Sequence, residues 1–243
     1  MRQRIILVAL AILAGATFHT VKAQQLQSRL DTLSYTFGLA QSQGLNHYLE
    51  QFNREVLGND STESLNIDLF LQGFNTGVKG EQGLMSADEA NAIVKRLIPI
   101  YEEQTKMRKY GAIKQAGEDF LKENAKKQDV KTLESGVQYK VLQAGNGPVP
   151  TATQEVKVHY EGRTLDGTVF DSSYKRGNPA TFPCNRVIKG WTEALTHMPV
   201  GSTWEVYIPY QLGYGEGGAG AEIKPYSMLI FKIELLEIVT SEK

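Results

Sequence analysis

Residues 156–160 read Val-Lys-Val-His-Tyr, and residues 229–234 read Leu-Ile-Phe-Lys-Ile-Glu. In both stretches large apolar side chains recur at every second position, which is the period of a strand with one buried face. Glycine, with proline, asparagine or aspartate, separates such stretches throughout residues 131–243 and indicates turns. Only residues 187–195 of this half carry a helical pattern, so we predict a sheet with one short helix.

Residues 24–127 have a different period. Apolar side chains recur there at helical spacing, and one stripe consists of Ile67, Phe70, Leu71, Phe74 and Val78. A further helix is predicted to begin at Ser86, because Ser86 and Glu89 have the spacing of a capping box. Pro99 lies inside that helix and predicts a kink or a restart, since proline removes one hydrogen bond of the ladder.

The segment from Tyr101 to Lys127 is rich in charged residues and poor in apolar ones. Such a helix is typical of a solvent-exposed connection between two domains. A partly frayed linker around Gly111 and Gly117 is the alternative, because glycine weakens a helix. We place the boundary between the helical domain, residues 24–130, and the sheet domain, residues 131–243, at this point.

Residues 1–23 have the features of a secretory signal. Arg2 and Arg4 precede an apolar run, and the segment ends on the small residue Ala23. Cleavage after Ala23 would take the net charge from −1 to −4, and the mature chain would have no concentrated basic face of the kind that nucleic-acid binders show. We therefore expect an exported protein of the periplasm without membrane insertion, and leave open its association with the outer membrane or its secretion.

Composition and motifs exclude several classes of site. With Cys184 as the only cysteine, no intramolecular disulfide or multi-cysteine metal cluster can form. The histidines have no partner at an informative spacing, and Ser172 and Ser173 beside Asp171 lack a histidine for a hydrolase triad. The glycine-rich residues 213–218 precede a strand instead of a helix, which argues against a dinucleotide site. We predict neither a metal nor a cofactor.

The sheet domain is unusually rich in aromatic side chains, with few titratable groups among them. The set is Tyr160, Phe170, Phe182, Trp191, Tyr207, Tyr214 and Phe231, accompanied by Val187 and Ile188. These residues could simply fill the core. Taken together they exceed what a sheet with one short helix needs, so they predict an apolar pocket with a few orienting polar groups.

Several of these residues occur in linked motifs. They include Val158-His159-Tyr160-Glu161-Gly162, Gly167-Thr168-Val169-Phe170-Asp171-Ser172-Ser173, Val187-Ile188-Lys189-Gly190-Trp191, Met198-Pro199-Val200-Gly201 and Leu229 to Leu236. In this order they resemble the FKBP-type peptidyl-prolyl cis-trans isomerase domain, from about Gly136 to Ile238. Segments such as Ser34-Tyr35-Thr36-Phe37-Gly38 resemble the helical N-terminal domain of the exported macrophage-infectivity-potentiator-like members, which dimerise through it.

The resemblance implies an α+β fold, in which an all-helical domain and a long connecting helix precede an antiparallel sheet wrapped around a short helix. It implies an isomerase that acts on Xaa-Pro segments of exported proteins and forms a homodimer. Trp191 would be the pocket floor, Asp171 and Tyr214 would orient the substrate, and the amide of Ile188 would bind a peptide carbonyl. The walls would be Tyr160, Phe170, Val187, Ile188, Ile223 and Phe231, with Phe182 at a further binding position.

Two features depart from the family pattern. Ala180 stands near the place of a second wall aromatic, and the loop after Gly215 is glycine-rich and lacks the usual prolines. These departures bear on substrate preference more than on the reaction. A non-catalytic chaperone, holdase or adaptor that uses a cleft of the dimer remains the alternative function.

Overall fold

The structure is a computed structural model that describes residues 26–59 and 63–239. Its contacts divide the chain into two compact units, one ending at Phe52 and one beginning at Asn53. The predicted signal segment, residues 1–23, lies outside the described residues. The domain boundary placed near residue 130 stays a prediction.

Three helices form the N-terminal half, as the apolar spacing predicted. They are α1 (Arg29–Glu55), α2 (Ile67–Lys79) and α3 (Ala87–Asn124). The capping box at the start of α3 is confirmed, because Ser86 Oγ accepts from the Glu89 N–H while the Glu89 carboxylate accepts from the Ser86 N–H. The predicted restart at Pro99 is wrong, since α3 is one helix of 38 residues that contains Pro99.

The C-terminal half is an antiparallel sheet that packs against a short helix, and the α+β fold is thereby confirmed. Its strands in the described residues are β1 (Val130–Thr132), β2 (Gln138–Gln143), β3 (Glu155–Thr164), β4 (Val169–Ser172), β5 (Ala180–Pro183), β6 (Thr203–Ile208) and β7 (Leu229–Val239). The strand order is β1-β2-β6-β7-β3-β4, and β5 pairs with β3. In the described residues two α-helices lie between strands, α4 (Ser173–Arg176) and α5 (Lys189–Leu195).

The main core lies between the sheet and α5, on the sheet face that the alternating pattern predicted to be buried. Along β3 every second residue is buried, and Val156 and Val158 are fully so. From the other side, α5 buries Trp191, Ala194 and Leu195 against the same face of the sheet. The predicted helix therefore lies where the resemblance implied, although it begins at Lys189 instead of Val187, and α4 was not predicted.

The opposite face of the sheet is also covered. Ile230, which the alternation placed away from the core, is buried with Tyr207 and Met228 in a second cluster that includes Phe120 and Leu121 of α3. The end of α3 is thus part of this cluster, and the expectation of a wholly solvent-exposed connector is wrong there. The sequence of α3 did not predict this contact, because only one turn of the helix, at Phe120 and Leu121, packs on the second cluster. A single apolar turn does not produce a clear amphipathic pattern along a helix of this length.

Polar side chains fix the end of α3 against β2. The Asn124 side-chain N–H donates to Gln138 Oε1 at 2.9 Å, and Gln138 Nε2 donates to the Leu121 carbonyl at 2.8 Å. Both amide side chains are buried, and buried polar groups that find partners hold their elements in one arrangement. Gly117 allows the close approach, because a Cβ there would lie 3.2 Å from Met228 Cγ.

Candidate functional site

A cavity of about 170 Å³ opens between α5 and the sheet. Its lining contains all but two of the residues that the sequence associated with a pocket. The lining residues are Tyr160, Phe170, Asp171, Phe182, Val187, Ile188, Trp191, Tyr214 and Phe231. Tyr207 is the first exception, because it belongs to the second cluster with Met228 and Ile230. Ile223 is the second, since it is buried within the main core and does not line this cavity; its assignment to the site stays a prediction.

Trp191 is the centre of the aromatic lining. Its ring lies nearly perpendicular to those of Tyr160, Phe182 and Phe231, at centroid distances of 5.0, 5.7 and 5.2 Å. Edge-to-face contacts of this kind are favourable and fix the rings relative to one another. The buried indole N–H of Trp191 has no hydrogen-bond partner in the described part of the chain.

A glycine on β3 gives two of the wall rings their space. A Cβ on Gly162 would lie 2.5 Å from Phe231 Cε1 and 2.7 Å from the ring of Phe170. Those two rings are themselves in edge contact, with centroids 5.5 Å apart. Any larger residue at position 162 would therefore displace part of the cavity wall.

Asp171 on β4 is held by two neighbouring side chains. The Tyr160 hydroxyl donates to Asp171 Oδ2 at 2.5 Å, and the Arg176 guanidinium pairs with Asp171 Oδ1. Arg176 Nη2 also donates to the Tyr160 hydroxyl oxygen at 2.8 Å. Each group thus contacts the other two, and charge-assisted hydrogen bonds of this type fix side-chain orientation.

The network determines which groups are charged. Burial alone would raise the pKa of Asp171, but the hydrogen bonds from Tyr160 and Arg176 and the guanidinium charge outweigh it, so the pKa of this carboxyl lies below its ordinary value. Burial, together with the hydrogen bond to Asp171, raises the pKa of the Tyr160 hydroxyl. At neutral pH the cavity therefore contains one carboxylate and a neutral phenol.

Arg176 was missed by the sequence analysis. It is separated from Tyr160 by 16 positions, and only the chain reversal from β3 through β4 to α4 brings their side chains together. A basic residue five positions after Asp171 has no helical or strand periodicity to single it out. Its guanidinium also lies over the face of the Tyr160 ring, 5.5 Å from the centroid, where a cation is attracted by the ring.

The statement that Ser173 lacks a histidine partner is wrong. His159 Nδ1 lies 3.0 Å from Ser173 Oγ, because β4 pairs with β3 and so brings the first residue of α4 beside a residue that is 14 positions earlier in the chain. The hydroxyl is nevertheless fully buried, and it also accepts from the Tyr160 N–H at 2.7 Å. It joins the strands and is not accessible as a nucleophile.

The described residues offer neither a metal site nor a membrane-spanning helix. Among residues 26–59 and 63–239, no three histidine, cysteine, aspartate or glutamate side chains lie together as a possible metal site. Within the same ranges, the helices are not long and apolar enough to cross a membrane.

Two family models match the chain. Residues 147–236 match the FKBP-type peptidyl-prolyl cis-trans isomerase, and residues 30–141 match the domain amino-terminal to FKBP-type peptidyl-prolyl isomerase. The first match contains every residue of the cavity lining.

Relatives match along most of the chain. The FKBP-type 22 kDa peptidyl-prolyl cis-trans isomerase of Escherichia coli is 41% identical over 92% of this chain and 98% of its own. The outer membrane protein MIP of Legionella longbeachae is 34% identical over 98% of both. The crystal structure of FkpA from Escherichia coli, 27% identical, aligns with a TM-score of 0.56 over 90% of this chain and all of its own. The chain therefore belongs to the FKBP-type peptidyl-prolyl cis-trans isomerase family, and its reaction is the isomerisation of peptidyl-prolyl bonds.

Proposed function

We propose that isomerisation takes place in the cavity above Trp191, on Xaa-Pro segments of exported polypeptides. The observation that carries this proposal is the convergence of six of the seven predicted aromatic residues on one apolar cavity, whose lining contains one carboxylate. An apolar cavity of about 150 Å³ can hold benzene, and the cavity of 170 Å³ is therefore large enough for a proline ring.

The roles of the residues follow from their positions. The proline ring would pack on Trp191, between the rings of Phe170, Phe182 and Phe231 and the aliphatic side chain of Val187. Asp171 and the hydroxyl of Tyr214 would orient the substrate carbonyl, and the backbone N–H of Ile188 would bind a second one. Ile188 is the N-cap residue of α5, where no side chain caps the helix, and free amides at a helix start are suitable donors to a carbonyl.

The reaction needs no nucleophile. Rotation about an amide has a barrier of about 18–20 kcal/mol, because it breaks the conjugation between carbonyl and nitrogen. The twisted state is less charge-separated than the planar one, so a water-poor apolar cavity stabilises it more than either planar isomer. Each tenfold of rate requires about 1.4 kcal/mol of this preference.

Refolding of a proline-limited protein tests the proposal against the holdase alternative, which the family assignment does not favour. The full chain is expected to accelerate the slow refolding phase at a small fraction of the substrate concentration, because a catalyst turns over. A requirement for about one chain per substrate molecule would contradict the proposal. The same sample is assayed on a short proline peptide, which a holdase would not isomerise.

We further propose that the chain is exported through residues 1–23, acts in the periplasm and forms a homodimer through its N-terminal helices. A relative that carries the name of an outer membrane protein supports export. On one face of α2, the side chains of Ile67, Leu71, Phe74 and Val78 are exposed, and an apolar helix face of this kind is typical of an interface. Sequencing the N-terminus of the protein from a periplasmic extract tests export, with Gln24 expected as the first residue.

A further inference from the structure

Tyr226 lies shortly before β7 and has an unusual backbone conformation. Its φ is +62°, in the left-handed region that bulky side chains seldom adopt. Its exposed fraction is only 1%. A residue remains in such a conformation only where its surroundings hold it there, and conformations of this kind cluster at functional sites.

Three contacts hold Tyr226 in place. Its hydroxyl donates to Glu103 Oε1 of α3 at 2.9 Å. Its backbone N–H donates to the Gly215 carbonyl at 3.1 Å, and its ring lies edge-on to that of Tyr210 with centroids 5.3 Å apart. Tyr226 therefore connects α3 to the loop that follows Tyr210.

That loop carries Tyr214 of the cavity lining. The N–H groups of Gly213 and Gly215 both donate to the Tyr210 carbonyl, at 3.1 and 2.9 Å. Tyr214 is therefore flanked on both sides by residues whose amides bind Tyr210, while the Gly215 carbonyl is bound by Tyr226. A shift of Tyr226 would change the anchorage of the Tyr214 side chain at the cavity.

We propose that Glu103 is a positioning residue for the cavity: by binding the Tyr226 hydroxyl, it lets the connecting helix α3 set the position of Tyr214 and hence the affinity for substrate. This inference rests on the proposed function of the cavity. Glu103 lies 111 positions before Tyr214, on the half of the chain that precedes the sheet. It does not touch the cavity lining and acts only through Tyr226.

The protonation state of Tyr226 fits this role. Burial, and next the hydrogen bond to Glu103, raise the pKa of its hydroxyl to about 12. The Tyr226 hydroxyl therefore keeps its proton at neutral pH and remains able to donate it to Glu103 Oε1. Lys114 Nζ, 5.9 Å from the centroid of the Tyr226 ring, is the nearby cation on the same helix.

The test compares full-length variants at Glu103, Glu102 and Tyr226. Glu103→Ala and Tyr226→Phe each remove the hydrogen bond, whereas Glu103→Gln keeps an oxygen that can accept it. Glu102→Ala is the matched control, because it removes the same charge from an exposed neighbour on α3. The first measurement is the hydrogen-exchange rate of the backbone amides of Gly213, Gly215 and Tyr226. The second is the kinetics of a proline peptide, from which KM and kcat are obtained.

Loss of one hydrogen bond to a charged group is expected to speed exchange at these amides about tenfold in Glu103→Ala and Tyr226→Phe. KM should rise with kcat nearly unchanged, because Tyr214 would bind the planar and the twisted substrate alike. Glu103→Gln and Glu102→Ala should resemble the unmodified protein. The double variant Glu103→Ala, Tyr226→Phe should be no worse than either single one, since both remove the same bond.

The proposal is overturned if Glu103→Ala and Glu102→Ala give the same exchange rates and the same KM. Unmodified protein that does not isomerise the peptide would instead contradict the proposed function. The exchange rates at the three amides do not depend on turnover, so they still decide whether Glu103 holds the loop.

Discussion

The indole ring of Trp191 lies at 90° to the phenol ring of Tyr160, with the ring centroids 5.0 Å apart. One ring belongs to the short helix α5 and the other to the central strand β3. Their contact joins the helix to the sheet in the cavity lining, and the Tyr160 hydroxyl donates to Asp171. The same pair therefore connects the apolar rings of the cavity to its carboxylate.

Replacement of Trp191 by leucine is expected to lower kcat/KM about 10- to 100-fold, because roughly 1.5–3 kcal/mol of apolar contact with the proline ring is lost. Trp204→Leu is the matched control. Trp204 is as buried as Trp191, at 4% exposure, but packs on Tyr139 and does not line the cavity. Both variants should lose stability in a urea titration, and only Trp191→Leu should lose activity per folded molecule. Equal activity of the two folded variants would contradict the assignment of the floor.

Asp171→Asn should reduce kcat/KM about tenfold, because the Tyr160 hydroxyl and Arg176 lose the charged group that holds them at the polar edge of the cavity. The control is Asp166→Asn. The pKa of Asp166 is also lowered, by hydrogen bonds from Thr164 and Thr168, but Asp166 does not line this cavity. A proline-peptide assay measures both. Activity in Asp171→Asn equal to that of Asp166→Asn would argue against an orienting carboxylate.

The lowered pKa of Asp171 also predicts the form of the pH profile. Because the folded state holds the carboxylate more strongly than the unfolded chain does, this group stabilises the fold above its ordinary pKa of about 3.9. That contribution is lost as pH falls through the lower pKa of the folded state. Urea titrations from pH 7 to pH 2 should show an acid-side loss of stability that is smaller in Asp171→Asn. An identical acid limb in the two proteins would contradict the ion pair with Arg176.

Gly162→Ala should damage the cavity without adding any charge. Its Cβ would meet Phe231 and Phe170 within 2.7 Å, and overpacking of this kind costs about 1–3 kcal/mol of stability. We expect kcat/KM to fall because the rings must move. Gly111→Ala is the comparison, since the new Cβ there would only approach the flexible Met107 side chain at 3.4 Å and alanine favours a helix. Activity that survives in Gly162→Ala would show that the walls can move freely.

Phe74→Glu should disrupt the proposed homodimer. Phe74 is 47% exposed on α2 and stacks on Phe70, so a carboxylate there would be buried unpaired in an apolar interface. Light scattering at tens of micromolar should give the mass of one chain for Phe74→Glu and of two for the control Asn75→Glu, which places the same charge on an exposed polar position. Isomerisation of a short peptide should be unchanged in both. Unmodified protein with the mass of a single chain would contradict dimerisation.

The sequence predicted the features that depend on local pattern. The alternation along β3 identified Val156, Val158 and Tyr160 as buried, and the spacing of Ser86 and Glu89 identified the start of α3. These predictions were correct because strand and helix periods determine which face of an element is apolar, independently of what packs against it. The set of aromatic residues likewise predicted a pocket, since few other arrangements accommodate so many rings around one short helix.

Only the tertiary structure determined which element covers each face. The second apolar face at Ile230 is covered by Phe120 of the distant helix α3, and Arg176 meets Tyr160 through a chain reversal. Such contacts depend on the order of the strands and on the position of α3. No local period encodes them, because residues far apart in the chain become neighbours only when the whole sheet is formed.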